Sequence, residues 1–166
     1  MTIDIAINGA AGRMGRRLLA LAAADEALQV VQALECEGHE LLGKAVCKFV
    51  PESESNASLA SALAGGAHVL VDFSTPESTA ARAAEAARAG TALVIGTTGL
   101  GDAEESAVAA AAKQVPVLHA PNFSLGVNLV FRLAGQIAEA LGADYDIEVV
   151  EAHHNQKADA PSGTAK

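Results

Sequence analysis

Short runs of β-branched and aliphatic residues alternate along this chain with longer alanine-rich segments. Residues 3–8, 29–35, 67–72, 91–95 and 115–120 read as strands. Helical segments fall between them at 12–24, 76–89 and 102–113, with a short helix expected at 59–64. Pro76 suits a helix start, where its missing N–H costs nothing, and Gly90 suits the stop. The strand runs are continuously apolar, as expected where both sheet faces are covered. Regular strand–helix alternation implies parallel strands joined by crossover helices, a doubly wound, Rossmann-type α/β sheet. Residues 36–58 lack either period, carry Gly38, Gly43 and Pro51, and read as a flexible loop.

After Pro121 the rhythm changes. Residues 125–141 form a long amphipathic pattern, and 144–152 alternate, with Asp146 and Glu148 set against Ile147 and Val149. Strict alternation predicts a strand in a sheet with one wet face, a different kind of sheet from the first. The chain is therefore divided into a dinucleotide-binding domain, residues 1–123, and the beginning of a second, α+β domain, residues 124–166.

Composition narrows the partners. Hydrophobic residues make up 51% of the chain, enough for a packed core, and the formal net charge is -9. No basic stripe exists to neutralise phosphates, which speaks against general nucleic-acid binding and against an anionic membrane surface. An anionic small molecule needs only a few well-placed positive groups and stays open. Cys36 and Cys47 lack CxxC spacing and read as free thiols in a reducing compartment. The start, Met1-Thr2-Ile3-Asp4, is no signal peptide, and no apolar run approaches the roughly 20 residues of a membrane span. A cytoplasmic protein is expected.

The most informative turn is Gly9-Ala10-Ala11-Gly12-Arg13-Met14-Gly15, between a strand and a helix. Glycines there permit a tight turn, close approach of a pyrophosphate, and close helix–strand packing, while the helix entrance faces the phosphate with free N–H groups. Glu35 follows at the end of the second strand, where a carboxylate would bind ribose hydroxyls. It would repel a 2′-phosphate, and Cys36 adds no positive charge, so NADH is expected over NADPH. Arg13, Arg16 and Lys44 could offset that repulsion.

Ligands of open α/β sheets sit beyond the carboxyl ends of the strands. Three turns there carry candidate chemistry: Asp72-Phe73-Ser74-Thr75-Pro76, Gly96-Thr97-Thr98-Gly99 and Ala120-Pro121-Asn122-Phe123. They offer hydrogen bonds to a carboxamide or ribose, and Phe73 or Phe123 could pack on a flat ring. Ordinary loop and cap chemistry is the alternative for any one of them. The densest polar stretch runs from Glu151 through His153, His154 and Lys157 to Pro161-Ser162-Gly163-Thr164. Histidine can donate a proton near neutral pH, lysine can hold an anion, and the last four residues suit a carboxylate at a helix entrance. A zinc site is disfavoured, because adjacent histidines on extended chain point apart and no cysteine lies near them in sequence.

Four segments together, Gly9–Gly15, Val94–Gly99, Asn122–Asn128 and Glu151–Ala165, resemble the 4-hydroxy-tetrahydrodipicolinate (dihydrodipicolinate) reductase family of lysine biosynthesis. The resemblance implies NAD(P)H-dependent reduction of a dicarboxylate and a homotetrameric full-length enzyme. It implies that Gly9, Ala10, Ala11, Gly12, Arg13 and Met14 hold the pyrophosphate and Glu35 the ribose. Gly96, Thr97, Thr98, Ala120, Pro121, Asn122 and Phe123 would line the nicotinamide. His153 would be proton donor and acceptor and Lys157 the second proton donor, with His154, Gly163 and Thr164 on the substrate carboxylates. Many members carry arginine where this chain has Cys36, which puts NADPH use in question. Members also continue well past residue 166, so a truncated chain is expected. The alternatives are a non-catalytic NAD(H)-sensing module, for which the histidines would be dispensable, and another two-domain Rossmann reductase, which leaves Pro161–Thr164 unexplained.

Overall fold

The computed structural model describes residues 1–153, 155 and 161–165. The chain divides into two compact units, Met1–His119 and Ala120–Lys166.

The first unit is a six-stranded sheet of β1 (Ile3–Asn8), β2 (Leu28–Leu34), β3 (Leu59–Ala60), β4 (Val69–Asp72), β5 (Ala92–Ile95) and β6 (Val117–His119). Every pairing is parallel, and the order is β3-β2-β1-β4-β5-β6. Its helices are α1 (Arg13–Ala23), α2 (Pro76–Ala89) and α3 (Asp102–Ala111). Successive residues of a strand point to opposite faces. Ala6, Leu70, Leu93 and Ile95 accordingly meet Ala83 and Ala86 of α2 and Val108 and Ala111 of α3. On the opposite face Ile5, Ile7 and Ala33 pack with Leu19 and Ala22 of α1 and with Val46, Val50 and Leu59. Alanine on the inward face of α2 lets that helix lie close to the sheet. The doubly wound architecture expected from the alternation is the one observed. In this strand order the switch in direction falls between β1 and β4, which opens a crevice beyond their carboxyl ends.

Two expected elements are different. Residues 59–64 are not a helix: Leu59 and Ala60 pair with Ala33 and Leu34 as edge strand β3. Leu59 is buried at 2% exposure, and its N–H and C=O bond the 43–44 turn, while Ala60 O accepts from Glu35 N–H. Closing the open edge of β2 outweighs the helix propensity of three alanines. The 36–58 loop is irregular as expected but is packed down rather than loose. A 3-10 turn at Val46–Lys48 buries Val46, and Arg16 lies over the Phe49 ring and donates to Phe49 O.

The second unit holds α4 (Leu125–Leu141) and a 3-10 turn at Gly142–Asp144. The strand expected at 144–152 is absent among the described residues, although the backbone leaves the 3-10 turn extended at Tyr145. Alternation cannot make a strand without a neighbour to take its N–H and C=O groups. Ile147, Val149 and Val150 are exposed accordingly. Among the described residues, no helix is long and apolar enough to cross a membrane.

Candidate functional site

The glycine turn is shaped by backbone contacts. Gly9 has φ +71°, and a Cβ there would lie 2.5 Å from the carbonyl oxygen of Phe73. A Cβ on Gly15 would lie 2.1 Å from Gly9 O and 2.6 Å from Ala10 Cα, so only glycine lets α1 start this close to β1. Gly12 is the N-cap of α1, with no side-chain cap and no acid in the first helical turn. The other helices differ. Thr75 accepts from Ser78 N–H on α2, Ser124 accepts from Val127 N–H on α4, and Glu104 bonds the Gly101 N–H at α3. The first N–H groups of α1 thus remain for an outside anion, in a cradle that any larger residue at Gly12 would narrow.

Glu35 stands one residue past β2, beside this cradle. One carboxylate oxygen accepts from Ala11 N–H at 3.2 Å and the other from Cys36 N–H at 3.1 Å. Each oxygen keeps acceptor capacity for a ribose hydroxyl. Cys36 is exposed, and both cysteines are free. Arg13 and Met14 are exposed at the rim, whereas Ala10 is fully buried and acts through its backbone, donating to Leu34 O.

The turns after β4 and β5 interlock with the first. Phe73 presses its carbonyl on Gly9 and its ring on Gly96, where a Cβ would meet the ring at 2.1 Å. Of the two rings expected to receive a flat ligand, that of Phe73 is therefore engaged within the protein. Ser74 N–H donates to Thr97 Oγ1 at 2.9 Å, and His119 Nε2 is 3.3 Å from Thr97 O. Thr97 is buried at 4% exposure, whereas Thr98 is exposed. Sequence reasoning missed Asn8 and Arg82, which are buried together with Asp72 beneath the turns. The available signal was a polar residue closing each of two apolar strands and an arginine on the alanine face of α2.

In the second unit, Asn122 organises the residues before α4. Its Oδ1 accepts from Ser124 N–H, its C=O accepts from Asn128 Nδ2, and its Nδ2 donates to Thr164 Oγ1 at 3.2 Å. Ala120, Pro121, Asn122 and Phe123 thus share a unit with Gly163 and Thr164. Ser162, 1% exposed, donates both its N–H and its hydroxyl to the Glu151 carboxylate, which lies 3.5 Å from His153 Nδ1. A cleft of about 620 Å³ is lined by Pro121, Phe131, Val149, Glu151, Gly163 and Thr164. His154 and Lys157 lie outside the described residues.

A parallel sheet in this strand order, with a glycine-lined helix entrance at its switch point and an acid after β2, defines a Rossmann-type α/β protein. Residues 3–123 match the family described as dihydrodipicolinate reductase, N-terminus, and residues 126–166 match dihydrodipicolinate reductase, C-terminus. The chain belongs to the dihydrodipicolinate reductase family. A 4-hydroxy-tetrahydrodipicolinate reductase of Thiobacillus denitrificans is 46% identical, covering 99% of this chain and 62% of that protein. Another from Magnetococcus marinus is 42% identical, with 99% and 63% covered. Among solved structures, a dipicolinate-bound dihydrodipicolinate reductase from Paenisporosarcina sp. TG-14 has a TM-score of 0.67 and 28% identity, over 99% of this chain and 63% of that one. A myo-inositol dehydrogenase from Corynebacterium glutamicum, with a TM-score of 0.56 and 18% identity over 82% of this chain and 42% of that one, shares the fold alone. The chain thus spans about 62% of the length of the curated relatives it matches.

Proposed function

We propose that this chain binds a reduced pyridine dinucleotide and belongs to an enzyme that reduces 4-hydroxy-tetrahydrodipicolinate in lysine (diaminopimelate) biosynthesis, in the cytoplasm. The observation that carries the reading is the uncapped, glycine-lined entrance of α1 with the Glu35 carboxylate beside it. In this reading residues 1–123 hold the dinucleotide, and residues 124–166 begin the domain that engages a dicarboxylate. The Gly9–Met14 turn holds the pyrophosphate, with the Arg13 and Met14 N–H groups at the helix entrance as its donors, and Glu35 holds the adenosine ribose. Gly96–Thr98 and Ala120–Phe123 line the nicotinamide, which supplies a hydride when bound.

His153 is the proton donor and acceptor in this scheme, with the Glu151 carboxylate 3.5 Å from its Nδ1. Lys157 is the second donor. Gly163 and Thr164 hold a substrate carboxylate at a turn that Ser162 anchors, with His154 as a further contact. The five ring carbons and two carboxylates of a dipicolinate-like ring suit an apolar cleft bordered by such donors.

Calorimetric titration with NADH and NADPH, followed by dipicolinate on the loaded protein, tests the reading. NADH is expected to bind at least about tenfold more tightly than NADPH, because Glu35 faces the 2′ position and Cys36 beside it brings no positive charge; tenfold is 1.4 kcal/mol. Dipicolinate is expected to bind the loaded chain. Tighter NADPH binding would overturn the role given to Glu35, and failure of both nucleotides would overturn the function.

A further inference from the structure

Asn8 and Asp72 are the last residues of β1 and β4, and they are register partners. One rung earlier on the same sheet face stand Ala6 and Leu70, both apolar and fully buried. The buried face changes from apolar to polar where the two strands hand the chain to their turns. Both Asn8 and Asp72 have 0% exposure, and Arg82 of α2, 5% exposed, covers them.

Their hydrogen bonds form one connected set. Asn8 Nδ2 donates to Asp72 Oδ1 at 2.8 Å and is 2.9 Å from both Ser74 Oγ and Ser78 Oγ. Asn8 Oδ1 accepts from Arg82 Nε at 3.3 Å. Only this amide orientation serves both neighbours, since the carboxylate needs a donor and the guanidinium an acceptor. Asp72 also accepts from the hydroxyls of Ser74 and Thr79, each at 2.6 Å. Arg82 donates onward to Ser61 O, just past β3, and pairs with Glu85, whose carboxylate holds Leu63 N–H. Ser74 N–H donates to Thr97 Oγ1 after β5. Among the described residues, no buried side-chain donor or acceptor is left without a partner.

The set therefore runs beneath the carboxyl ends of β3, β1, β4 and β5. Ser74 Cβ lies 3.2 Å from where a Gly9 side chain would begin, so the turn it fixes is the one against which the glycine turn rests. Folding stability does not call for such a set, because burying charges costs desolvation that apolar packing avoids. What a fully satisfied polar set provides is a single direction for the groups attached to it. We propose that Asn8, with Asp72 and Arg82, is a positioning residue for the dinucleotide cradle, fixing the Gly9 and Phe73–Thr75 turns in their binding geometry. This inference rests on the dinucleotide reading above.

The test compares NADH affinity and melting temperature in the unaltered chain, Asn8→Ala and Leu70→Ala, with titrations run below every melting transition. Leu70→Ala opens a cavity two residues before Asp72 on the same face and breaks none of the hydrogen bonds. It is expected to melt earlier yet bind NADH as the unaltered chain does, whereas Asn8→Ala loses at least about tenfold in affinity. Should Asn8→Ala fail to fold, Ser74→Ala carries the same expectation, because it removes the hydroxyl joining Asn8 to the second turn without emptying the core. Unaltered NADH affinity in the folded Asn8→Ala chain overturns the proposal. So does a loss in Leu70→Ala as large as that in Asn8→Ala, and, where Asn8→Ala does not fold, unaltered affinity in Ser74→Ala. If the unaltered, folded chain does not bind NADH, the dinucleotide reading fails first, and this inference with it.

Discussion

Gly15 is where the local geometry is least forgiving. A methyl group there would overlap Gly9 O and Ala10 Cα, both backbone atoms that cannot rotate away. Gly15→Ala must push α1 off β1, at a cost of about 1–3 kcal/mol. A urea midpoint lowered accordingly is the expected result; an unchanged midpoint would show that the helix start has room. The glycines were legible in the sequence because their spacing follows a strand and opens a helix. Glu35 was legible for a related reason, its distance from the turn. Asn8 and Arg82 were not. A single polar residue at the end of an apolar run looks like a strand boundary, and an arginine in an alanine-rich helix looks like a solvated face. Their meeting depends on a register between β1 and β4 that no local pattern encodes.

Helices and strands differ in how much of their cause lies within them. The entrances of α2 and α4 were readable from Pro76 and from the amphipathic period, and the structure adds Thr75 and Ser124 as caps. For β3 the cause is remote. Leu59 and Ala60 are extended because β2 offers an open edge, a tertiary fact that overrides alanine propensity. Leu59→Ala is therefore expected to cost about 2–5 kcal/mol, the range for a buried leucine, measurable by chemical denaturation. A loss under about 0.5 kcal/mol, usual for a surface position, would contradict the burial assigned to β3. The segment at 144–152 illustrates the opposite error. Its alternation records which side chains suit a sheet, yet a strand forms only when a partner is hydrogen-bonded to it.

Across the whole molecule, charge and apolar surface are distributed unevenly. The net charge is -9, but Arg13, Arg16 and Arg17 stand together at the start of α1. An acidic protein thus keeps a local positive group at the helix entrance where an anion is expected, and such a field raises encounter rates for a dinucleotide. Exposed apolar side chains gather in the second unit, among them Leu125, Leu129 and Val130 of α4 and Val149 and Val150 beyond it. The first unit packs its strands on both faces, so its fold was the most readable part of the chain.

The proposed function stands on a pyrophosphate bound at the entrance of α1, and Gly12 allows folding and binding to be separated there. An aspartate at an N-cap bonds a free helical N–H and suits the helix dipole, yet its charge would occupy and repel the anion site. The decisive measurement is a calorimetric titration of NADH into this chain and into Gly12→Asp, with melting temperatures recorded for both. Saturable one-to-one binding by the unaltered chain, abolished in a Gly12→Asp protein that melts no earlier, is the predicted result. Equal NADH binding by both proteins, or none by the folded unaltered chain, would contradict it.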